Sequence, residues 1–72
     1  MINYYKTGSG KRYLKIDDES INAIFLFIDG DKKVKNIITK TDIYNKMVEE
    51  SQNTDIWTPS DETTFNEALA QI

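Results

Sequence analysis

The sequence contains neither cysteine nor histidine, and these two absences exclude much of the chemistry available to small proteins. Without them there is no disulfide and no thiolate or imidazole site for zinc. The Ser–His and Cys–His relays of nucleophilic catalysis are excluded for the same reason. A carboxylate pair for glycoside chemistry would need a cleft that so short a chain can scarcely build. We therefore predict a protein that is not an enzyme and has no cofactor, metal site or small-molecule substrate.

Long apolar runs are also missing. The longest run covers residues 23–28, far below the roughly 20 residues that a membrane-spanning helix needs. The opening MINYYK lacks the basic segment and apolar stretch of a signal peptide. The sequence thus predicts a protein that neither spans a membrane nor carries a cleaved export signal.

The small size of the chain limits its stability. Its 72 residues, 39% of them apolar, predict one domain with a small core. Ordering each residue costs about 1.5 kcal/mol, which burial in such a core only just offsets. Since no disulfide or metal supplements the core, we expect the protein to associate with copies of itself or with a larger assembly.

Charge is divided unevenly along the chain, although the net charge is only −3. Residues 1–40 hold eight basic and five acidic side chains, whereas residues 41–72 hold one basic and seven acidic ones. A basic half and an acidic half can attract each other within or between molecules. An unevenly charged, solvated surface is the alternative interpretation.

Alternating apolar and polar residues in the first part of the chain predict an antiparallel β-meander of three to four strands. Glycine-containing turns, GSG and DGD, separate two pairs of strands. Residues 21–28 also fit helical spacing, but the short run of β-forming residues before a turn favours a strand. The predicted strands cover residues 2–6, 11–16, 21–28 and 34–39.

Helical spacing replaces this alternation after residue 40. A helix is predicted over residues 42–51 with Thr41 as its N-cap, and a second helix is predicted to begin at Thr58 and Pro59. The resulting prediction is a single α+β domain over residues 1–72. It has a meander in residues 1–40 and two helices in residues 41–72, both packed on one face of the sheet. The predicted core contains Ile16, Ile24, Leu26, Ile28, Ile38, Ile43, Met47, Phe65, Leu69 and Ile72.

Three short motifs resemble ligand sites but do not meet the requirements for them. GSGK at residues 8–11 lacks the spacing, the following hydroxyl residue and the helix of a phosphate-binding loop. A calcium loop starting at Asp29 would place lysines at ligand positions. Three adjacent acids at residues 17–19 are typical of a solvated turn.

The first hairpin is the predicted interaction surface, because it interleaves tyrosines with basic residues. Such a surface can hold single-stranded nucleic acid by stacking and charge. The acidic character of the whole chain and the absence of a recognisable RNA-binding motif argue against nucleic acid, and tyrosines in strands commonly pack in cross-strand pairs. The predicted surface consists of Tyr4, Tyr5, Lys6, Lys11, Arg12, Tyr13, Lys15 and Trp57.

The two ends of the chain resemble small uncharacterised proteins of tailed bacteriophages with AT-rich genomes. The resemblance lies in the aromatic opening MINYYKTGSGKRYLKI and in the ending WTPSDETTFNEALAQI, where an acidic helix closes the chain. It implies a structural or accessory virion protein or a host-directed inhibitor, located in the virion or the host cytoplasm. No functional residue carries over from it.

The leading functional hypothesis is a structural or protein–protein interaction protein, such as a virion component that contacts copies of itself or a larger shell or tail protein. The alternative is a small acidic inhibitor of a basic host protein, such as a nucleic-acid-binding enzyme. Single-stranded nucleic-acid binding through the first hairpin is the third hypothesis.

Overall fold

The computed structural model describes all residues from Met1 to Ile72 as a series of short strands with two helices. Four strands come first: β1 (Ile2–Thr7), β2 (Arg12–Asp17), β3 (Asn22–Asp29) and β4 (Lys32–Ile38). Helix α1 (Thr41–Ser51), strand β5 (Trp57–Pro59) and helix α2 (Glu62–Leu69) follow. The ends of the first four strands lie within two residues of their predicted positions.

All five strands join one antiparallel sheet in the order β4-β3-β2-β1-β5. Two turns of the meander depend on glycine, since Gly10 and Gly30 have φ angles of +73° and +61°. The predicted fold class is confirmed: the protein is α+β, with an antiparallel meander followed by two helices.

Strand β5 is an addition to the predicted sheet. The sequence places residues 52–57 in a connection and Thr58 at a helix start, but this segment pairs with β1 instead. The amide of Ser60 donates to the carbonyl oxygen of Tyr4 at 2.8 Å, so the peptide group of Pro59 is directed away from β1. Proline is tolerated there because no hydrogen bond of the ladder is lost.

The two helices lie on opposite faces of the sheet, which corrects the prediction that both pack on one face. Side chains directly opposite each other on neighbouring strands share a face, and successive residues of a strand alternate between faces. Helix α1 contributes Tyr44, Met47 and Val48 to one face. The sheet residues of this α1 face are Tyr5, Leu14, Ile16, Ala23, Phe25 and Ile38, and Trp57 of β5 completes the cluster.

The α2 face is formed by the alternate residues of the same strands. There Tyr4, Tyr13, Ile24, Leu26 and Ile28 pack with Phe65, Ala68 and Leu69 of α2. Strand β3 therefore lies between two helical layers, which explains why its sequence is apolar on both faces. A strand of this kind does not reveal from its sequence which face each helix will cover.

Both helices begin at residues other than those predicted. Thr41 is the first residue of α1, and its N-cap is Lys40, which makes no side-chain capping bond. Helix α2 is capped by Asp61, whose carboxylate accepts from the amide of Thr64 at 2.7 Å, rather than by Thr58. This hydrogen bond stabilises the charged form and lowers the pKa of Asp61.

The predicted core is correct in its centre and wrong at two positions, Ile43 and Ile72. Ile16, Leu26 and Phe65 are buried, but Ile43 and Ile72 are 41% and 44% exposed. Ile43 lies outside the stripe that α1 packs against the sheet, and Ile72 lies beyond the end of α2. The remaining predicted core residues are half-buried. The buried apolar residues outside that core list are Leu14, Ala23, Tyr44, Trp57 and Ala68.

Replacing Ile21 by glycine is expected to stabilise the protein by about 1 kcal/mol. Ile21 ends the turn between β2 and β3 with a φ of +52°, a conformation that costs a β-branched residue about 1–2 kcal/mol. Its side chain is half exposed, so its removal sacrifices little packing. Urea denaturation followed by circular dichroism measures the change, and an equal or lower stability of Ile21→Gly would contradict the assignment of strain.

Candidate protein-interaction site

The residues of the predicted hairpin surface are divided between the two faces of the sheet. Tyr4 packs against Phe65 of α2, with ring centroids 5.6 Å apart, whereas Tyr5 packs into the cluster on the α1 face. The Tyr13 hydroxyl donates to the carbonyl oxygen of Gly10 at 2.7 Å. These tyrosines are half-buried packing residues, so the structure does not bring them together as one aromatic surface.

The other predicted surface residues are also divided, although Lys6 and Lys15 share the α2 face with Tyr4 and Tyr13. Trp57 is buried, with 4% of its surface exposed, and this corrects its assignment to an exposed surface. The guanidinium carbon of Arg12 lies 5.9 Å from the ring centroid of Phe27 on the α1 face. The Lys11 ammonium forms an ion pair with the Asp29 carboxylate at 3.5 Å. Half-buried Lys6 and Lys15 lie opposite residues of the α2 face, as the strand register requires: Lys6 faces Tyr13, and Lys15 faces Tyr4 and Ile24.

The two edges of the sheet differ in their capacity to accept another strand. The edge at β5 is three residues long, and its outward-facing peptide group at Pro59 has no N–H. The edge at β4 is seven residues long and contains no proline. An unpaired strand of this length is a template for pairing with another chain.

The direction of the β4 peptide groups follows from a single hydrogen bond and the strand register. The amide of Ile28 donates to the carbonyl oxygen of Lys11 at 2.7 Å, so Ile28 faces β2. Peptide groups alternate sides along an antiparallel strand, so Phe27 bonds to its partner Val34 in β4. The β4 residues whose N–H and C=O groups face away from the sheet are therefore Lys33, Lys35 and Ile37.

An apolar groove adjoins this edge on the α1 face. It has a volume of about 580 Å³, opens to solvent and lies between β4 and the first half of α1. Its apolar lining is completed by Ile43, which α1 leaves 41% exposed, and by a half-buried Phe25. The groove is lined by Phe25, Asn36, Ile37, Ile38, Thr39, Lys40, Ile43 and Met47.

Strand β4 is strongly basic for its length. It carries Lys32, Lys33 and Lys35 and no acidic residue, and Lys40 follows two residues after its end. The ion pairs of the structure join Met1 with Asp18 and Glu19 and join Lys11 with Asp29, so these four lysines are unpaired. We define the β4 site as the outer edge of β4 with these lysines and the apolar groove.

The acidic turn at residues 17–19 is occupied by contacts within the chain. The Asp17 carboxylate accepts from the amides of Glu19 and Ser20 at 3.1 and 3.2 Å, and these hydrogen bonds lower its pKa. Asp18 and Glu19 pair with the amino group of Met1. The structure contains no cluster of three acidic side chains arranged to hold a metal ion.

Comparison with protein-family models, with curated proteins and with solved structures finds no match to this chain. Neither helix is long and apolar enough to cross a membrane. Function is therefore argued from the chemistry of the β4 site.

The β4 site was not predicted from the sequence, although the sequence contains one signal for it. Three lysines in a seven-residue strand are a common feature of an exposed sheet edge, because charged side chains oppose uncontrolled pairing. The apolar groove had no comparable signal. Its walls come from β3, β4 and α1, and they meet only after the chain has folded.

Proposed function

We propose that this protein is a non-enzymatic protein–protein interaction module whose partner adds a strand to β4. The observation that carries the proposal is the outer edge of β4, whose free peptide groups lie beside an open apolar groove. In strand addition, main-chain hydrogen bonds supply affinity and alternate side chains supply specificity. The β4 site offers both components on adjacent parts of one surface.

The setting that we propose for this interaction is a phage virion or the host cytoplasm. The resemblance of the two chain ends to small proteins of tailed bacteriophages supports the virion. A small structural component would then contact a copy of itself or a larger shell or tail protein through β4. The small core, which contains only eight buried apolar residues, also fits a protein that gains stability from a partner.

A second candidate function is inhibition of a basic host protein through the acidic helices. It is favoured by the exposed acids Glu49 and Glu50 on α1 and Glu62 and Glu67 on α2. Association through these residues would weaken steeply as the salt concentration rises. It would also be independent of the β4 edge, which separates it experimentally from the leading proposal.

Lys35→Pro is expected to reduce strand addition at least about 10-fold, because proline removes an outward-facing N–H from the middle of β4. The protein is used to select binders from a display library of random short peptides. The affinity of each selected peptide is then measured by fluorescence anisotropy. Hydrogen exchange on the wild-type complex is expected to slow at the amides of Lys33, Lys35 and Ile37.

Lys35→Gln is the matched control, since it keeps the N–H at the same position and removes the charge. Circular dichroism melts establish that both variants are folded, which is expected because the N–H of Lys35 makes no bond within the sheet. Peptides that bind Lys35→Pro as tightly as the wild type would contradict strand addition at β4. A library from which no peptide is enriched would contradict it as well.

A further inference from the structure

We infer that the partner segment at the β4 site is an extended acidic strand in which acidic and apolar residues alternate. This inference rests on the proposed strand addition and deepens it, because it assigns a chemistry to each face of the added strand. The acidic side chains would lie on the α2 face and the apolar side chains on the α1 face. This assignment follows from the positions of the lysines and of the groove relative to the sheet.

The lysines of the outward-facing peptide groups share the α2 face. Lys33 and Lys35 lie opposite Ile28 and Leu26 of β3, which both pack with α2. Residues directly opposite on paired strands share a face, so these two lysines meet the alternate residues of an added strand. Carboxylates at those positions would give each lysine the partner that it lacks within the chain.

The α1 face of β4 favours apolar side chains opposite Val34 and Ile38, on the side of the groove. Val34 is 44% exposed, and Ile38 forms part of the groove wall with Phe25 and Ile43. The residues of an added strand that lie opposite Val34 and Ile38 point to this side. Valine- or leucine-sized side chains there would cover the exposed part of Ile43 and enter the groove. The two faces together therefore specify alternation with a period of two residues.

A second copy of the chain is a poor match for the same edge in the two registers that centre on the lysine-rich part of β4. Antiparallel pairing of two β4 strands about Lys35 would place this residue opposite its own copy. Pairing about Val34 would place Lys33 opposite Lys35. Like charges directly opposite each other destabilise a strand pair, and β4 has no acid to relieve them. In these registers charge complementarity favours an acidic partner over a second copy.

The test uses a fluorescent synthetic peptide that alternates glutamate and valine and is as long as β4. It is compared with a peptide that has glutamine in place of each glutamate and with one that has lysine there. The glutamate peptide is expected to bind the wild-type protein about 10-fold more tightly than the glutamine peptide. The lysine peptide is expected to bind most weakly, and added salt should reduce the difference between the glutamate and glutamine peptides.

Two pairs of variants assign the preference to the β4 site. Lys33→Gln combined with Lys35→Gln is expected to lower the affinity for the glutamate peptide about 10-fold and to leave the affinity for the glutamine peptide unchanged. The control Lys46→Gln, on α1, should change neither affinity. Ile43→Ala is expected to lower the affinity for both peptides about 3-fold. Ile56→Ala is its control, because Ile56 is 40% exposed and lies outside the groove.

Each contrary outcome has a definite meaning. Equal binding of the glutamate and glutamine peptides, with both lost in Lys35→Pro, would overturn the acidic partner and leave strand addition intact. Tighter binding of an oligothymidylate than of the glutamate peptide would overturn it in favour of nucleic acid. A micromolar dimer in sedimentation that Lys35→Pro dissociates would identify a second copy as the occupant. Peptide binding that Lys35→Pro leaves unchanged would remove the proposed function itself.

Discussion

Phe65→Ala is expected to lower the free energy of unfolding by about 3–5 kcal/mol, the usual cost of truncating a buried phenylalanine. Phe65 is 2% exposed and is one of the largest fully buried side chains of the protein. It joins α2 to the sheet through its contact with Tyr4 and its cluster with Leu26. Since a chain of 72 residues has about 4–11 kcal/mol of stability in total, the variant should be largely unfolded or marginally stable.

Urea denaturation of the isolated protein measures this effect, with Glu67→Ala as the control on the same helix. Glu67 is exposed and makes no ion pair, so its replacement should change stability by less than about 0.5 kcal/mol. A Phe65→Ala variant within about 1 kcal/mol of the wild type would mean that α2 is not part of the core. Loss of peptide binding with unchanged stability would instead identify α2 as a binding element.

Trp57→Ala is expected to cost a similar 3–5 kcal/mol, although its side chain lies on the other face of the sheet. Trp57 packs with Leu14, Ile16 and Tyr44, and its ring meets Phe25 edge-on at a centroid distance of 6.4 Å. Its indole Nε1 is buried without a hydrogen-bond partner. This unpaired N–H opposes part of the stabilisation that the ring provides.

Trp57→Phe separates these two contributions. Phenylalanine keeps most of the apolar contact and removes an unpaired donor whose burial costs about 1–3 kcal/mol. We expect Trp57→Phe to lie within about 1 kcal/mol of the wild type, so that the two variants differ by at least about 2 kcal/mol. Circular dichroism is the suitable probe, because both variants lack the single tryptophan. Equal destabilisation of both variants would show that the indole N–H is satisfied in solution.

The meander could be predicted from sequence because its determinants are local. Alternation in β1 and β2 and the glycines at positions 10 and 30 are properties of neighbouring residues. The apolar stripe of α2, formed by Phe65, Ala68 and Leu69, could be predicted for the same reason, because it follows the spacing of a helix. Strand β5 was missed because three residues carry no periodicity, and its threonine and proline are equally suited to a helix start.

The arrangement of the layers and the β4 site depend on contacts between distant segments. Whether α1 and α2 share a face is decided by how each connection crosses the sheet, not by either helix's own pattern. Ala23 was placed on an apolar face of the predicted central strand, but nothing in the sequence showed that α1 would cover this face and bury it fully. A strand's place at the sheet edge is likewise a property of the whole topology, so the lysines of β4 had no context until the sheet order was known.

Pro59 makes the two edges of the sheet unequal in any assembly that forms by strand pairing. If a partner adds a strand at β4, the opposite edge offers little for a further strand, because β5 is three residues long and its last residue, Pro59, has no N–H. If β4 of each copy paired with β5 of the next, the copies would form an open-ended fibre. Pro59 disfavours this contact. In an assembly formed by strand addition at β4, this protein would therefore be the last subunit of the shared sheet.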